Sequence, residues 1–150
     1  MTKLNRREAL ALGAGSLVIT MLPFNAFADA AKTMEDIKAF TGGAEAADDG
    51  MVTLTMPEIA ENGNTVPLTV SVDSPMTSDN YVKSVLIVAE GNPNPGVATF
   101  HFTPMSGSAE ASSRMRLAKT QNVIAVAELS DGSYHMSAVE VKVTIGGCGG

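Results

Sequence analysis

The chain has 150 residues, with 10 Lys and Arg against 16 Asp and Glu, a formal net charge of −6, and no Trp. That length allows one domain with a modest core. The acidic balance, without a basic run, argues against nucleic-acid or anionic-membrane binding. With few aromatic residues, the core must be mainly aliphatic, built from Val, Ile, Leu, Ala and Met.

Residues 1–28 read as an export signal. Lys3, Arg6 and Arg7 form a positive segment, and Leu10 to Phe24 is uncharged and mostly apolar. Ala26-Phe27-Ala28 fits the small-x-small cleavage pattern, so Asp29 is the expected first mature residue. The apolar run is too short and too poor in large residues for a membrane span. The Arg6-Arg7 pair points to the twin-arginine route, although Asn5 and Ala9 depart from its usual pattern. A general secretory signal is the alternative. Either route leads to the periplasm, where disulfides are permitted. Taking 28 residues from 150 leaves 122, and loss of Lys3, Arg6, Arg7 and Glu8 takes the charge from −6 to −8.

Residues 29–145 form the predicted domain. Thr33 is expected to cap a short helix running to about Phe40, with Asp36 as capping-box partner and Thr41-Gly42-Gly43 ending it. Ala44 to Gly50 reads as irregular, with Asp48-Asp49 solvated. Val52 to Met56 alternates and stops at Pro57. Glu61-Asn62-Gly63-Asn64 is a turn. Thr65 to Asp73 places Val66, Leu68, Val70 and Val72 on one face, the period-two pattern of a half-buried strand. Tyr81 to Glu90 is a strand buried on more of both faces, and Gly91 to Gly96 is a breaker cluster.

Val97 to Thr103 is the next strand, with Phe100 and Phe102 on one face and His101 on the other. Met105 to Ala111 reads as loop, and Arg114 to Leu117 alternates again. Asn122 to Leu129 is a Val-, Ile- and Ala-rich strand. Ser130-Asp131-Gly132-Ser133 is a hairpin turn, because Asp-Gly tolerates positive φ. Tyr134 to Ile145 closes the domain, with Val139, Val141, Val143 and Ile145 predicted inward. About seven strands with turns between them predict an all-β, immunoglobulin-like antiparallel β-sandwich with a short N-terminal helix. A small β-barrel is the alternative.

Little in this domain looks catalytic. His101 and His135 are the only histidines, and each is expected to face solvent. Met34, Met51, Met56, Met76, Met105, Met115 and Met136 are dispersed, which suits core filling better than Cu(I) ligation. No Cys-x-x-Cys or His-Glu-x-x-His pattern occurs, and no metal or catalytic residue is assigned.

The tail is different. The chain ends Gly146-Gly147-Cys148-Gly149-Gly150, and Cys148 is its only cysteine. It has no intrachain disulfide partner and no bulky neighbour. Glycine loses the most backbone entropy on ordering, so residues 146–150 are expected to form a flexible arm. A nucleophilic sulfur on a slim tether is the chemistry of a covalent carrier. No cation flanks Cys148, so activation of its thiol is expected to come from a partner's site.

The terminal Gly146-Gly147-Cys148-Gly149-Gly150 resembles the signature of the SoxY family, the sulfur-carrier subunits of the periplasmic thiosulfate-oxidising system. Val141 to Ile145, Pro57 to Pro67, Asn92-Pro93-Asn94-Pro95 and Arg114 to Ala118 are similar to that family as well. The resemblance implies a non-catalytic carrier without a cofactor of its own. Cys148 would hold thiosulfate-derived intermediates, and Gly146, Gly147, Gly149 and Gly150 would form the swinging arm. It also implies partners: a SoxZ-like subunit in a heterodimer, a haem cytochrome (SoxAX), a manganese hydrolase (SoxB) and a sulfane dehydrogenase (SoxCD). Two other readings stand beside it. One is an enzyme acting alone as a thiol oxidoreductase or sulfurtransferase. The other is an exported copper-binding or adhesion sandwich with a cross-linking tail cysteine.

Overall fold

The computed structural model describes residues 24–146, with side chains described from Ala30 onward. The leader residues 1–23, and Gly147, Cys148, Gly149 and Gly150 of the expected arm, lie outside the described residues. In chain order the elements are α1 (Phe24–Thr41), β1 (Val52–Thr55), β2 (Ile59–Ala60), β3 (Val66–Val72), β4 (Val82–Ala89) and β5 (Gly96–His101). A single 3-10 turn (Pro104–Ser106) follows, then β6 (Ala109–Met115), β7 (Gln121–Leu129) and β8 (Tyr134–Val143).

The strands form two packed sheets. One has three strands in the order β1-β3-β6, and the other has five in the order β2-β8-β7-β4-β5. All pairings are antiparallel except β2 with β8, where Ile59 lies opposite Lys142 and Ala60 opposite Val143 in parallel. This short pairing was not expected from the sequence, because two residues carry no periodicity. β6 also begins at Ala109, inside a segment predicted as loop, and pairs with β3 from Val72–Ala109 to Val66–Met115.

Alternation builds the core. Val66, Leu68, Val70 and Val72 of β3 face Val85 and Ile87 of β4, Val123, Ala125 and Ala127 of β7, and Val141 of β8. Each fully buried Val, Leu or Ile side chain contributes roughly 1.5–3 kcal/mol. Met76 and Met115 belong to this core, and Met51 and Met56 pack against it, which accounts for much of the methionine content. The outer face of the five-stranded sheet has its own apolar patch, Val88, Ile124 and Val126, covered by Ile37 and Phe40 of α1. Lys32 Nζ donates to Pro93 O (3.0 Å) and Asn94 Oδ1 (3.2 Å), tying the helix to the β4–β5 turn.

Four local expectations are corrected. Thr33 does not cap α1 but lies within it, because Ala30, Ala31 and Lys32 before it are good helix formers. Its hydroxyl is buried without a hydrogen-bond partner. The predicted stop is found, with Gly42 (φ 64°) and Gly43 (φ 90°) in the left-handed region. Gly43 N donates to Lys38 O there. Ile145 is 69% exposed, because β8 ends at Val143 and the chain bends beyond it. His135 does not face solvent; it is 9% exposed. Asp49, expected to be merely solvated, accepts from His135 Nδ1 at 3.0 Å.

Candidate functional site

The chain leaves the sandwich where β8 ends, and three segments close around that point. The first is the stretch through β2 into the Asn-Gly turn. Thr144 N donates to Ala60 O (3.1 Å), and Thr144 Oγ1 donates to Glu61 O (2.9 Å). Gly63 N donates to Ile145 O (2.8 Å), while Gly63 O accepts from Leu117 N (2.8 Å). Asn62 Oδ1 accepts from Asn64 N (2.9 Å), which holds the turn that presents Gly63.

The second segment is the loop between β6 and β7. Leu117 is fully buried and anchors it in the core. Thr120 Oγ1 accepts from Val143 N at 2.9 Å and fixes the loop to the last residue of β8. The third segment is the β4–β5 turn, whose Asn92 is 5% exposed. Asn92 Nδ2 donates to Arg116 O (2.8 Å), and Asn92 Oδ1 accepts from Ala118 N (3.0 Å) and Gln121 Nε2 (3.0 Å). Gln121 Oε1 in turn accepts from Gly91 N (2.7 Å). Buried amides are costly unless satisfied. Here each side chain meets backbone groups of the neighbouring segment, which makes the loop stiff.

Gly146 rests on this collar. A Cβ at Gly146 would overlap the Ala118 carbonyl oxygen, well inside van der Waals contact distance, and stand 3.1 Å from its carbon. Its φ is not in the left-handed region, so the position demands space, not an unusual backbone angle. An open cleft of about 310 Å³ lies beside the collar, lined by Glu90, Gly91, Lys119, Thr120, Gln121 and Asn122. Its walls carry both signs of charge.

Both histidines sit at the other end of the five-stranded sheet. His101 lies opposite Ser84, Ser84 opposite Glu128, and Glu128 opposite Tyr134 at the start of β8. A strand rises about 3.3 Å per residue, so His135 and Val143 are separated by about 26 Å. His101 is exposed. His135 Nε2 lies 3.2 Å from Ser133 Oγ, which with Asp49 gives an Asp–His–Ser line. The hydroxyl proton of Ser133 is given to Asp131 Oδ1 at 2.6 Å, so this line is a clamp on the β7–β8 hairpin and not an activated nucleophile. Hydrogen bonds from Met51 N, and then the charge of His135, hold Asp49 below the usual carboxylate range. The hydroxyl and backbone of Ser133 do the same for Asp131.

Among the described residues no group of three or more His, Cys, Asp or Glu could hold a metal ion. Nor is any described helix long and apolar enough to cross a membrane. Of the expected site residues only Gly146 is described. Sequence reading missed Asn92 and Gln121 as its supports. In the sequence Asn92 reads only as part of the Gly91–Gly96 breaker cluster and its Asn-Pro-Asn-Pro run, and nothing local says that its amide reaches a loop 24 residues away.

Fold and site define an immunoglobulin-like sandwich that carries its one cysteine just past the end of its last strand. The family model for sulfur oxidation protein SoxY matches residues 37–148, a span that includes Gly146, Gly147 and Cys148. The chain belongs to the SoxY family. Among solved structures it is similar to the sulfur carrier protein SoxY from Chlorobium limicola f thiosulfatophilum. The identity is 35%, covering 77% of this chain and 99% of that one, with a TM-score of 0.65. A superoxide reductase (neelaredoxin) from Ignicoccus hospitalis shares the fold at 19% identity, 62% and 80% coverage, and a TM-score of 0.56. A superoxide reductase from Nanoarchaeum equitans does so at 13% identity, 64% and 99% coverage, and a TM-score of 0.54. No curated protein matches significantly.

Proposed function

We propose that this protein is a covalent sulfur carrier of thiosulfate oxidation, with Cys148 as the attachment site and the terminal glycines as its arm. In loading, the Cys148 thiolate and thiosulfate join through a new S–S bond and release two electrons to a haem cytochrome. The product is a cysteine S-thiosulfonate. Water then cleaves the terminal S–S bond, releasing sulfate and two protons and leaving a persulfide on Cys148. A manganese hydrolase would supply that second step, and a SoxZ-like subunit would be the structural partner. The leader at residues 1–28 would send the protein to the periplasm, where these partners work.

One observation carries the non-catalytic reading. Two residues beyond Gly146 span about 7 Å, and the cysteine side chain adds about 3 Å. The thiol therefore reaches about 10 Å from Gly146, while both histidines lie at the far end of the sheet. No intrachain Cys–His pair can form, so the thiol needs another protein to activate it. A copper-binding reading fits less well, since Met76 and Met115 are spent on the core.

The test is intact-mass measurement of the protein isolated from thiosulfate-grown cells, beside Cys148→Ser. Sulfur adducts on the first and none on the second are expected. Adducts that survive in the serine form would overturn the assignment of Cys148.

A further inference from the structure

We propose that Gly146 is a fixed exit and not a hinge, and that the buried side chain of Asn92, acting through the backbone of Ala118, sets the direction in which the arm leaves the sandwich. The inference rests on the carrier reading above for its functional meaning, but its geometry does not.

Three observations lead to it. Gly146 lies against the Ala118 carbonyl so closely that a methyl group could not be added without moving backbone. A clash with backbone cannot be relieved by turning a side chain. The residue before Gly146 is also held, because Ile145 O accepts from Gly63 N at 2.8 Å. Finally, the surface on which Gly146 rests is itself immobilised. Leu117 fills the core on one side of Ala118, and Asn92 binds the flanking backbone twice, at Arg116 O and Ala118 N. Gln121 orients the Asn92 oxygen, and its own oxygen is held by Gly91 N.

Glycine at position 146 therefore serves close approach. A fixed Gly146 takes one residue out of any segment that could pivot and so narrows the volume the thiol can sample. A partner that receives sulfur must bring its reacting atoms to within about 10 Å of Gly146. A fixed exit removes part of the orientational search from that encounter. Asn92 is thus a positioning residue that touches neither sulfur nor partner.

The experiment uses the mature chain with its SoxZ-like partner. A nitroxide is placed on Cys148 and a second on Thr53→Cys, an exposed position on the other sheet. Electron–electron distance distributions are then compared for the parent, Gly146→Ala, Asn92→Leu and Asn92→Asp. The methyl in Gly146→Ala should drive the chain end off Ala118, shifting and broadening the distribution while the melting temperature changes little, because a chain end can move aside. Asn92→Leu should broaden it too. Asn92→Asp keeps the acceptor contacts but sets a carboxylate oxygen against Arg116 O, so it too should broaden the distribution. In unlabelled protein, Gly146→Ala should lower kcat/KM for cytochrome-dependent loading of Cys148 about tenfold or more, with the rate of maleimide labelling unchanged.

An unaltered distance distribution in Gly146→Ala would overturn the fixed exit, even if Asn92→Leu failed to fold. An altered distribution with unaltered loading would overturn its role in delivery. Absence of loading in the parent would instead refute the carrier reading, and the distance measurement would still decide the geometry.

Discussion

Leu117→Ala tests whether the loop under the arm belongs to the cooperative core. Leu117 is fully buried among the aliphatic residues of the sandwich, and its N–H is spent on Gly63 O. Leu→Ala at such sites costs about 3–5 kcal/mol, the sum of lost transfer energy and the residual cavity. Tight strands on either side leave little room for collapse, but the loop can settle by a fraction of an ångström, so the lower end, about 3 kcal/mol, is expected. For a domain of this size about 1 kcal/mol lowers the melting temperature by roughly 3–5 °C. The expected fall is then about 9–15 °C, with a matching shift of the urea midpoint at constant m. Arg116→Ala is the internal control. Its side chain is exposed, and its carbonyl, the group that Asn92 binds, remains, so it should change stability by no more than about 0.5 kcal/mol. A loss below about 1 kcal/mol for Leu117→Ala would mean that the loop is not part of the packed core. The collar account of the exit would then lose its foundation.

Two further outcomes are expected. Asp49 and Asp131 are both held below the usual carboxylate range, so the stability they contribute is present above the unfolded value of about 3.8. It is lost as pH falls through their lower folded values. Urea titrations between pH 6 and pH 2 should show an acid loss of stability that is smaller in Asp49→Asn with Asp131→Asn, and an equal loss in both proteins would refute the assignment. Phe40→Ala removes a half-buried ring that meets Tyr134 edge-on at 6.1 Å and helps cover Val88, Ile124 and Val126. A loss of about 2 kcal/mol and new binding of a hydrophobic dye are expected, and neither change would appear if α1 lay loosely on the sheet.

What could be read from the sequence follows from which forces act locally. β3 was legible because every second residue is aliphatic, and the structure puts those residues in the core. The β7–β8 turn was legible because Gly132 needs its φ of 84°. β2 was not, since its two residues are recruited by β8 and have no pattern of their own. The burial of His135 could have been found. It shares the parity of Val139, Val141 and Val143, and alternation alone would have turned it inward. The true start of α1 was hidden because Thr33 looks like a cap, while its helical partners upstream sit in a segment that also reads as leader.

The site divides the same way. The thiol, its isolation and its glycine neighbours are written in five consecutive residues. Its support is not, because it consists of amides from the β4–β5 turn and the β6–β7 loop that meet only once both sheets are folded. Glycine shows why sequence alone misleads here. Gly146 and Gly147 look identical in the chain, and both suggest freedom. In the fold, Gly146 is glycine so that the backbone can touch Ala118, and its contact is as specific as that of a buried side chain. A carrier needs both properties at once. A tether anchored by a loose root would spread its thiol over a wide shell, whereas a tether rigid throughout could not enter more than one partner. In the proposed fixed exit, the collar of Asn92, Gln121 and Leu117 holds the chain at one glycine and gives the thiol a narrow origin.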